Sequence, residues 1–205
     1  MVKRRSVLAK RKQSEQKQKR LQIGLGVLIV VILIMSTFGI ILSNQGDSEG
    51  DLEDGGYTFT VREQNGMTVL WTEIGGVETD FLYLPSQVQN VSLAANVVAV
   101  QGQDVYLAFD PRQDGLDLVD FIRFRLSQDL QAHNQMAVPA VVAPMDNFTL
   151  VDCQNASSPV ILVRYGNMTR VAEEDACIII EGASPQELVQ ATERFRYDYH
   201  SSFAG

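Results

Sequence analysis

Two histidines, His133 and His200, limit the acid–base chemistry that this chain can perform. Nucleophilic catalysis needs a serine or cysteine beside a histidine whose ring a third group orients. His133 follows a predicted helix and is expected to lie against its last carbonyls. His200 stands beside Ser201 and Ser202 where a second predicted helix frays, so its ring is expected to face solvent. The sequence therefore predicts no catalytic triad, and no catalytic residue is assigned.

Carboxylates offer a second kind of chemistry, the binding of calcium. Asp110, Asp114 and Asp117 crowd the start of a predicted helix, and calcium prefers several carboxylate oxygens. A structural role is favoured, because an EF-hand's alternating ligands are missing and negative charge stabilises a helix N-terminus. Two cysteines and two distant histidines do not form a metal-ligand set, and no cofactor is predicted.

Aromatic rings offer a third kind of chemistry, the binding of a sugar or a peptide. Trp71 and Tyr83 lie in a stretch that is predicted to form a sheet. A binding face would use such rings, but a sheet also needs them to fill its buried side. The core role is favoured, and Trp71 and Tyr83 are kept as candidate ligand-facing residues.

Cys153 and Cys177 are the two cysteines of the chain. In an oxidising compartment an even pair at this separation predicts one disulfide, and two buried free thiols are the alternative. Closing a loop of about 25 residues would stabilise the fold by roughly 3 kcal/mol.

The N-terminal region predicts where the protein lies in the cell. Its first twenty residues carry nine Lys and Arg against the single acid Glu15, and residues 21–42 are uncharged. As a helix this apolar stretch would cover roughly 33 Å, enough to cross a bilayer core of ~30 Å. A cleaved signal peptide would have a shorter apolar region. We predict a cytoplasmic tail over 1–20 and a transmembrane helix over 21–43, with the remainder outside the cell membrane.

Two further features of the sequence agree with an outside location. The residues after position 20 carry 8 basic and 24 acidic side chains, a balance that disfavours nucleic acid as a partner. The basic tail is ascribed to topology and to attraction by anionic lipid headgroups. Four of the eight asparagines lie in Asn-x-Ser/Thr sequons and are candidate glycosylation sites: Asn90, Asn147, Asn155 and Asn167.

The outer part of the chain is predicted to be one domain on a flexible tether. Residues 44–56 are acidic, rich in glycine and almost free of apolar side chains, so they are expected to form the tether. The domain is predicted over 57–205, which is enough chain for one hydrophobic core.

The first elements of this domain are predicted to be β-strands. Alternating residues on both sides of Asn65-Gly66 predict a hairpin. A Gly-Gly turn adds a third strand over 79–84. Apolar runs at 97–100 and 105–109 predict a further hairpin.

The second half of the domain predicts helices packed on a mixed sheet. An amphipathic helix over 114–130, with Asp114 as its N-cap, lies between strands at 105–109 and 136–143, which fits a parallel crossover. Unbroken apolar runs at 159–163 and 177–180 predict central strands, and Gly166-Asn167 predicts a hairpin turn between them. Ser184 and Glu187 form a capping box before a last helix. The predicted fold class is mixed α/β.

Several segments resemble an uncharacterised family of archaeal single-pass membrane proteins. The segments that carry the resemblance are Phe109-Asp-Pro111, Asp152-Cys-Gln-Asn-Ala156, 159–163, Gly166-Asn-Met-Thr169, 177–182 and 191–197. The resemblance covers about the last hundred residues and implies a paired cysteine and an outward-facing domain. It implies no catalytic residues, and the end of this chain departs from it.

These observations favour a binding role over an enzymatic one. The leading hypothesis is a membrane-tethered interaction module, or a small subunit of a membrane complex, whose partners are the lipid bilayer and another membrane or envelope protein. The first alternative is a receptor for a small ligand or glycan. The second is a hydrolase that uses acidic residues, which needs two carboxylates about 5 to 9 Å apart in a cleft.

Overall fold

A computed structural model describes residues 51–64 and 66–204, and every structural statement below concerns those residues. The basic tail 1–20, the predicted span 21–43, the beginning of the tether and Asn65 lie outside the described residues. Within the described part, no helix is both long and apolar enough to cross a membrane. The predicted mixed α/β class is confirmed, with two sheets and three helices in that part of the chain.

The first sheet is an antiparallel meander of four strands in sequence order. Its strands are β1 (Asp51–Asp54), β2 (Tyr57–Gln64), β3 (Met67–Ile74) and β4 (Val77–Phe81). Strands β2 to β4 confirm the predicted three-stranded opening, whereas β1 lies within the stretch predicted to be a flexible tether. The tether prediction missed β1 because its pairing with β2 uses backbone groups and requires no apolar side chains.

The segment that follows the meander does not form the predicted hairpin. It contains a short helix α1 (Pro85–Val88), a strand β5 (Ser92–Ala94) and a 3₁₀ turn at Val97–Val100. Val97 and Val100 are both buried, and a spacing of three residues places both on one side of a 3₁₀ turn. The apolar residues at 97–100 are therefore buried by forming a tight turn, and they do not pair as a strand.

The second sheet has seven strands in the order β5-β10-β11-β9-β6-β7-β8. The remaining elements are β6 (Val105–Phe109), α2 (Leu116–Ala132), β7 (Ala137–Val141), β8 (Thr149–Leu150), β9 (Val160–Tyr165), β10 (Arg170–Glu174), β11 (Cys177–Gly182) and α3 (Pro185–Ser201). Strands β6 and β7 are parallel and joined through α2, which confirms the predicted crossover. The prediction of a hairpin turn at Gly166-Asn167 is wrong. Strand β9 pairs in parallel with β11, and the antiparallel hairpin joins β10 to β11.

Helix α3 packs against both sheets. The predicted apolar stripe of Leu188, Ala191, Phe195 and Tyr199 belongs to the core of the seven-stranded sheet. Its other side presents Tyr197, whose ring stacks on Phe81 of the meander with centroids 3.9 Å apart. A helix between two sheets must therefore bury polar positions as well as apolar ones.

The two long helices begin differently. Ser184 caps α3 as predicted, because its hydroxyl oxygen accepts the Glu187 N–H at 3.3 Å, and Pro185 follows at the first turn. Asp114 does not cap α2. Gly115 is the N-cap residue, with φ of 73°, a backbone conformation that favours glycine.

The predicted disulfide between Cys153 and Cys177 is present, with Cα atoms 5.2 Å apart. It joins the segment after β8 to the start of β11. Both cysteines pack in an apolar cluster on one face of the seven-stranded sheet, together with Leu162 and Ile179. Helices α2 and α3 lie on the opposite face. The bond thus fastens an irregular segment over a face that no described helix covers.

Candidate functional site

A cluster of buried charges lies between α2, α3 and β4. Arg196 is 1% exposed and binds the Asp129 carboxylate through two nitrogens, with Nε–Oδ2 at 2.6 Å and Nη2–Oδ1 at 2.9 Å. Its Nη1 donates to Oε1 of Glu193 at 2.8 Å. Burial alone would raise the pKa of Asp129, but the charge of Arg196 and hydrogen bonds from His200 and Arg196 hold it well below its ordinary value. Burial would lower the pKa of Arg196, and Asp129 and Glu193 raise it above its ordinary value.

The charged cluster covers the free edge of β4, which is the last strand of the meander. The carbonyl oxygen of Asp80 accepts from Arg125 Nη2 at 2.6 Å and from Arg196 Nη1 at 2.8 Å. The N–H of Leu82, just after the strand, donates to Glu193 Oε2 at 2.8 Å. Charged side chains thus bind the backbone groups that a fifth strand would otherwise have paired.

A chain of hydrogen bonds joins both histidines to the charged cluster. His200 Nε2 lies 3.0 Å from Asp129 Oδ1, and its Nδ1 lies 3.0 Å from His133 Nε2. Since the carboxylate accepts, we assign the proton of His200 to Nε2. In neutral His200, Nδ1 then accepts from His133, so the arrangement is a carboxylate–imidazole–imidazole relay.

The predictions for the two histidines need correction. His200 is fully buried and not solvent-exposed, because α3 stays helical to Ser201 and packs between two layers. The backbone N–H of His133 does bond the Leu130 carbonyl at the end of α2, as its position suggested. The ring of His133, however, stacks on Phe203 with centroids 3.8 Å apart. Burial and the nearby His200 lower the pKa of His133.

A cleft with a volume of about 380 Å³ opens between the meander and α2. Strand β3 contributes alternate residues that face the same way, Met67, Val69 and Trp71. Helix α2 contributes Phe121 and Phe124, which are 40% and 61% exposed. These residues form an apolar part of the cleft wall, and Gln64 and Gln128 add polar side chains to the lining.

An ion pair lines the same cleft. The Arg125 side chain is 8% exposed, and its Nη2 lies 3.0 Å from Oδ2 of Asp80, whose side chain is 33% exposed. The same Nη2 lies 3.7 Å from Glu193, which is in the charged cluster. Burial and the charge of Arg196 lower the pKa of Arg125. Arg125 and Asp80 thus belong both to the cleft and to the cluster that covers the edge of β4.

The two candidate ligand-facing aromatics have different positions. Trp71 lines the cleft, and the Arg62 guanidinium lies 5.1 Å from the centroid of its ring. Tyr83 packs with the meander core, and its carbonyl oxygen accepts the Tyr197 hydroxyl at 2.7 Å. Trp71 is therefore the candidate that the structure places at an open surface.

The calcium candidates do not form a site. Asp110 is held by Arg112, whose Nε and Nη2 donate to its two carboxylate oxygens at 2.9 and 2.8 Å. Asp114 and Asp117 are exposed. Within the described ranges, no group of three or more His, Cys, Asp or Glu side chains is placed to hold a metal ion. Asp110 is thus paired with Arg112 and does not converge with Asp114 and Asp117.

All four sequon asparagines are exposed: Asn90, Asn147, Asn155 and Asn167. They lie after α1, in the segment between β7 and β9, and after β9. None lies on the meander or on α2, which form the cleft.

Sequence reasoning missed several residues of the cluster and the cleft. Glu193 and Arg196 stand away from the apolar stripe of their helix, which is the usual signature of solvent exposure. Asp129 follows Ile122 by seven residues and Leu126 by three, so its place on the apolar stripe was a signal of burial that sequence reasoning did not use. A signal was present for Phe121 and Phe124, because large aromatic side chains are uncommon on the polar face of an amphipathic helix.

Comparisons of the chain with protein-family models, with curated proteins and with solved structures give no match. The geometry of the cleft and of the charged cluster is therefore the basis for a functional proposal.

Proposed function

We propose that this protein is a membrane-tethered interaction module whose outer domain binds another membrane or envelope protein in the cleft between β3 and α2. One observation carries the proposal: three large apolar side chains stay exposed around a cleft that also contains a largely buried ion pair. These side chains are Met67, Phe121 and Phe124.

Clustering distinguishes these side chains from ordinary exposed apolar residues. Single exposed apolar side chains are normal, whereas contiguous ones mark contact sites. Nine large apolar side chains are exposed among the described residues, and three of them meet at this cleft. Aromatic residues and Met are also enriched in the cores of protein interfaces.

The positions of the sequons fit the same surface. Glycans at Asn90, Asn147, Asn155 and Asn167 would leave the meander and α2 uncovered. The predicted single span and tether would hold this uncovered surface close to the membrane, within reach of other envelope proteins.

The proposal can be tested by placing a photoreactive amino acid at Phe124 in intact cells. Irradiation should give a crosslinked species of defined mass, and Trp71→Ala should reduce its yield. The matched control is the same amino acid at Met168, which is also an exposed apolar position, at 52%, but lies after β9.

Two outcomes would count against a protein partner. Equal crosslinking from both positions would show that the contacts are not specific to the cleft. Absence of a protein adduct from Phe124, together with a small molecule retained in native mass spectrometry, would favour the receptor for a small ligand or glycan.

A further inference from the structure

We infer that the partner segment is extended and locally uncharged, with a bulky apolar side chain between Trp71 and Phe124 and with the backbone N–H and C=O of one residue facing Asp80 and Arg125. This inference rests on the proposed function and specifies the chemistry of its ligand.

The ion pair in the cleft favours a neutral, dipolar group. Arg125 can only donate hydrogen bonds and the Asp80 carboxylate can only accept them. A carboxylate ligand would meet the Asp80 charge, and an ammonium group would meet the Arg125 charge. In an extended segment the N–H and C=O of one residue point to the same side, so one residue supplies a carbonyl for Arg125 and an N–H for Asp80 and matches both.

Both residues retain capacity for such a contact. The bonds that Arg125 makes to Asp80 and Glu193 all use Nη2. Its Nη1 makes no hydrogen bond with the described residues and is not among their buried unpaired atoms, so it is the donor that remains for a ligand. The Asp80 side chain is one-third exposed, so a carboxylate oxygen can be reached from the cleft.

The backbone of the partner must be extended for this contact to form. Within an α-helix the peptide N–H and C=O groups are already paired with each other. An extended segment leaves them free and presents its side chains to alternate sides. A volume of about 380 Å³ lies near the lower end of the ~300–1,000 Å³ range of ligand sites. One anchoring side chain with its adjoining backbone is a suitable occupant.

Residues that flank the anchor should be basic. Residues 51–204 contain 22 acidic residues and eight arginines, with no lysine. Each arginine lies within 4.0 Å of an acidic side chain. The excess charge of the domain is therefore negative and unpaired, which accelerates association with a basic partner at low salt.

The experiment is a selection of phage-displayed random dodecapeptides on the full chain in lipid nanodiscs. Selected peptides should contain one large apolar residue without a charged neighbour on either side, and basic residues farther away. Binding of a synthetic copy is then measured by fluorescence anisotropy. Because a hydrogen bond to a charged group is lost, N-methylation of the amide beside the anchor should weaken binding about tenfold.

Variants of the protein test separately whether the cleft is the binding site and whether Asp80 binds the backbone of the partner. Phe124→Ala should weaken binding about tenfold through lost apolar contact, and the control Met168→Ala should leave it unchanged. In Asp80→Asn, which keeps the shape of the side chain, the effect of N-methylation should shrink to less than threefold.

The possible failures are distinguishable. If no selected peptide depends on Phe124, the cleft is not the binding site and the proposed function fails. If binding depends on Phe124 but tolerates N-methylation, or if selected peptides carry a charge beside the anchor, this inference is overturned while the proposed function stands.

Discussion

Replacement of Arg196 by methionine is the sharpest test of the buried charged cluster. Arg196 binds Asp129, Glu193 and the Asp80 carbonyl, and all of these contacts are lost in Arg196→Met. Two carboxylates would remain buried without their main counter-charge. Breaking a buried ion pair in this way costs about 3 to 5 kcal/mol.

The effect can be measured against a matched control on the same helix. Arg194→Met removes the same charge, but the Arg194 side chain is 29% exposed and pairs with Asp198 at 3.7 Å. A partly exposed i,i+4 helix pair of this kind contributes about 0.3 to 0.5 kcal/mol. A domain of about 150 residues loses about 2 to 4 °C of Tm per kcal/mol, so Arg196→Met should lower Tm by at least 6 °C and Arg194→Met by at most 2 °C.

Thermal unfolding of the full chain in detergent, followed by near-ultraviolet circular dichroism, measures both variants under identical conditions. Equal losses of Tm in Arg196→Met and Arg194→Met would refute the reasoning, since they would mean that burial of the charges has no energetic consequence. A loss confined to Arg196→Met would support the stabilising role of the buried charged cluster.

Three further predictions follow from the buried groups and the exposed sequons. The folded-state pKa values of His133 and Asp129 lie below their unfolded values of about 6.5 and 3.9. As the pH drops through each unfolded value, the unfolded state takes up a proton before the folded state does, so the free energy of unfolding should fall. Urea titrations from pH 8 to pH 3 should show this fall, and His133→Gln should flatten its upper part; a constant free energy of unfolding would contradict it. Reduction of the Cys153–Cys177 bond should lower the free energy of unfolding by roughly 3 kcal/mol in urea titrations with and without reductant, and an unchanged midpoint would contradict this. In a host that makes N-glycans, mass spectrometry should show one glycan fewer for each Asn→Gln change at an exposed sequon, and an unmodified wild-type chain would contradict this.

The elements that the sequence predicted well are those defined by local signals. The capping box at Ser184 and the apolar stripe of α3 depend on residues three or four apart. The run at 177–180 predicted a central strand because it is apolar on both faces, and β11 is buried along its whole length. The spacing of Cys153 and Cys177 likewise predicted their bond.

The features that the sequence did not predict depend on contacts between distant residues. Asp129 and Arg196 are 67 residues apart, and their burial follows from the meander, which packs on the side of α3 that faces away from the seven-stranded sheet. A helix covered on two sides still shows one apolar stripe in its sequence, so its buried charges resemble solvent-facing ones. Strand β1 was missed for a related reason, since its pairing with β2 involves backbone groups and its side chains are largely exposed.

The cleft and the charged cluster share Arg125 and Asp80, and this links binding to stability. Arg125 covers the free edge of β4 by donating a hydrogen bond to the Asp80 carbonyl, and the side chains of both residues line the cleft. A ligand that binds them in the folded state, and has no affinity for the unfolded chain, must stabilise the domain by mass action. At a hundredfold excess over Kd the gain is about 2.7 kcal/mol, comparable with the cost of breaking the buried ion pair. Arg125 variants would therefore lose binding and stability together, so the specificity of the cleft is better tested at Phe124 and at the partly exposed Asp80.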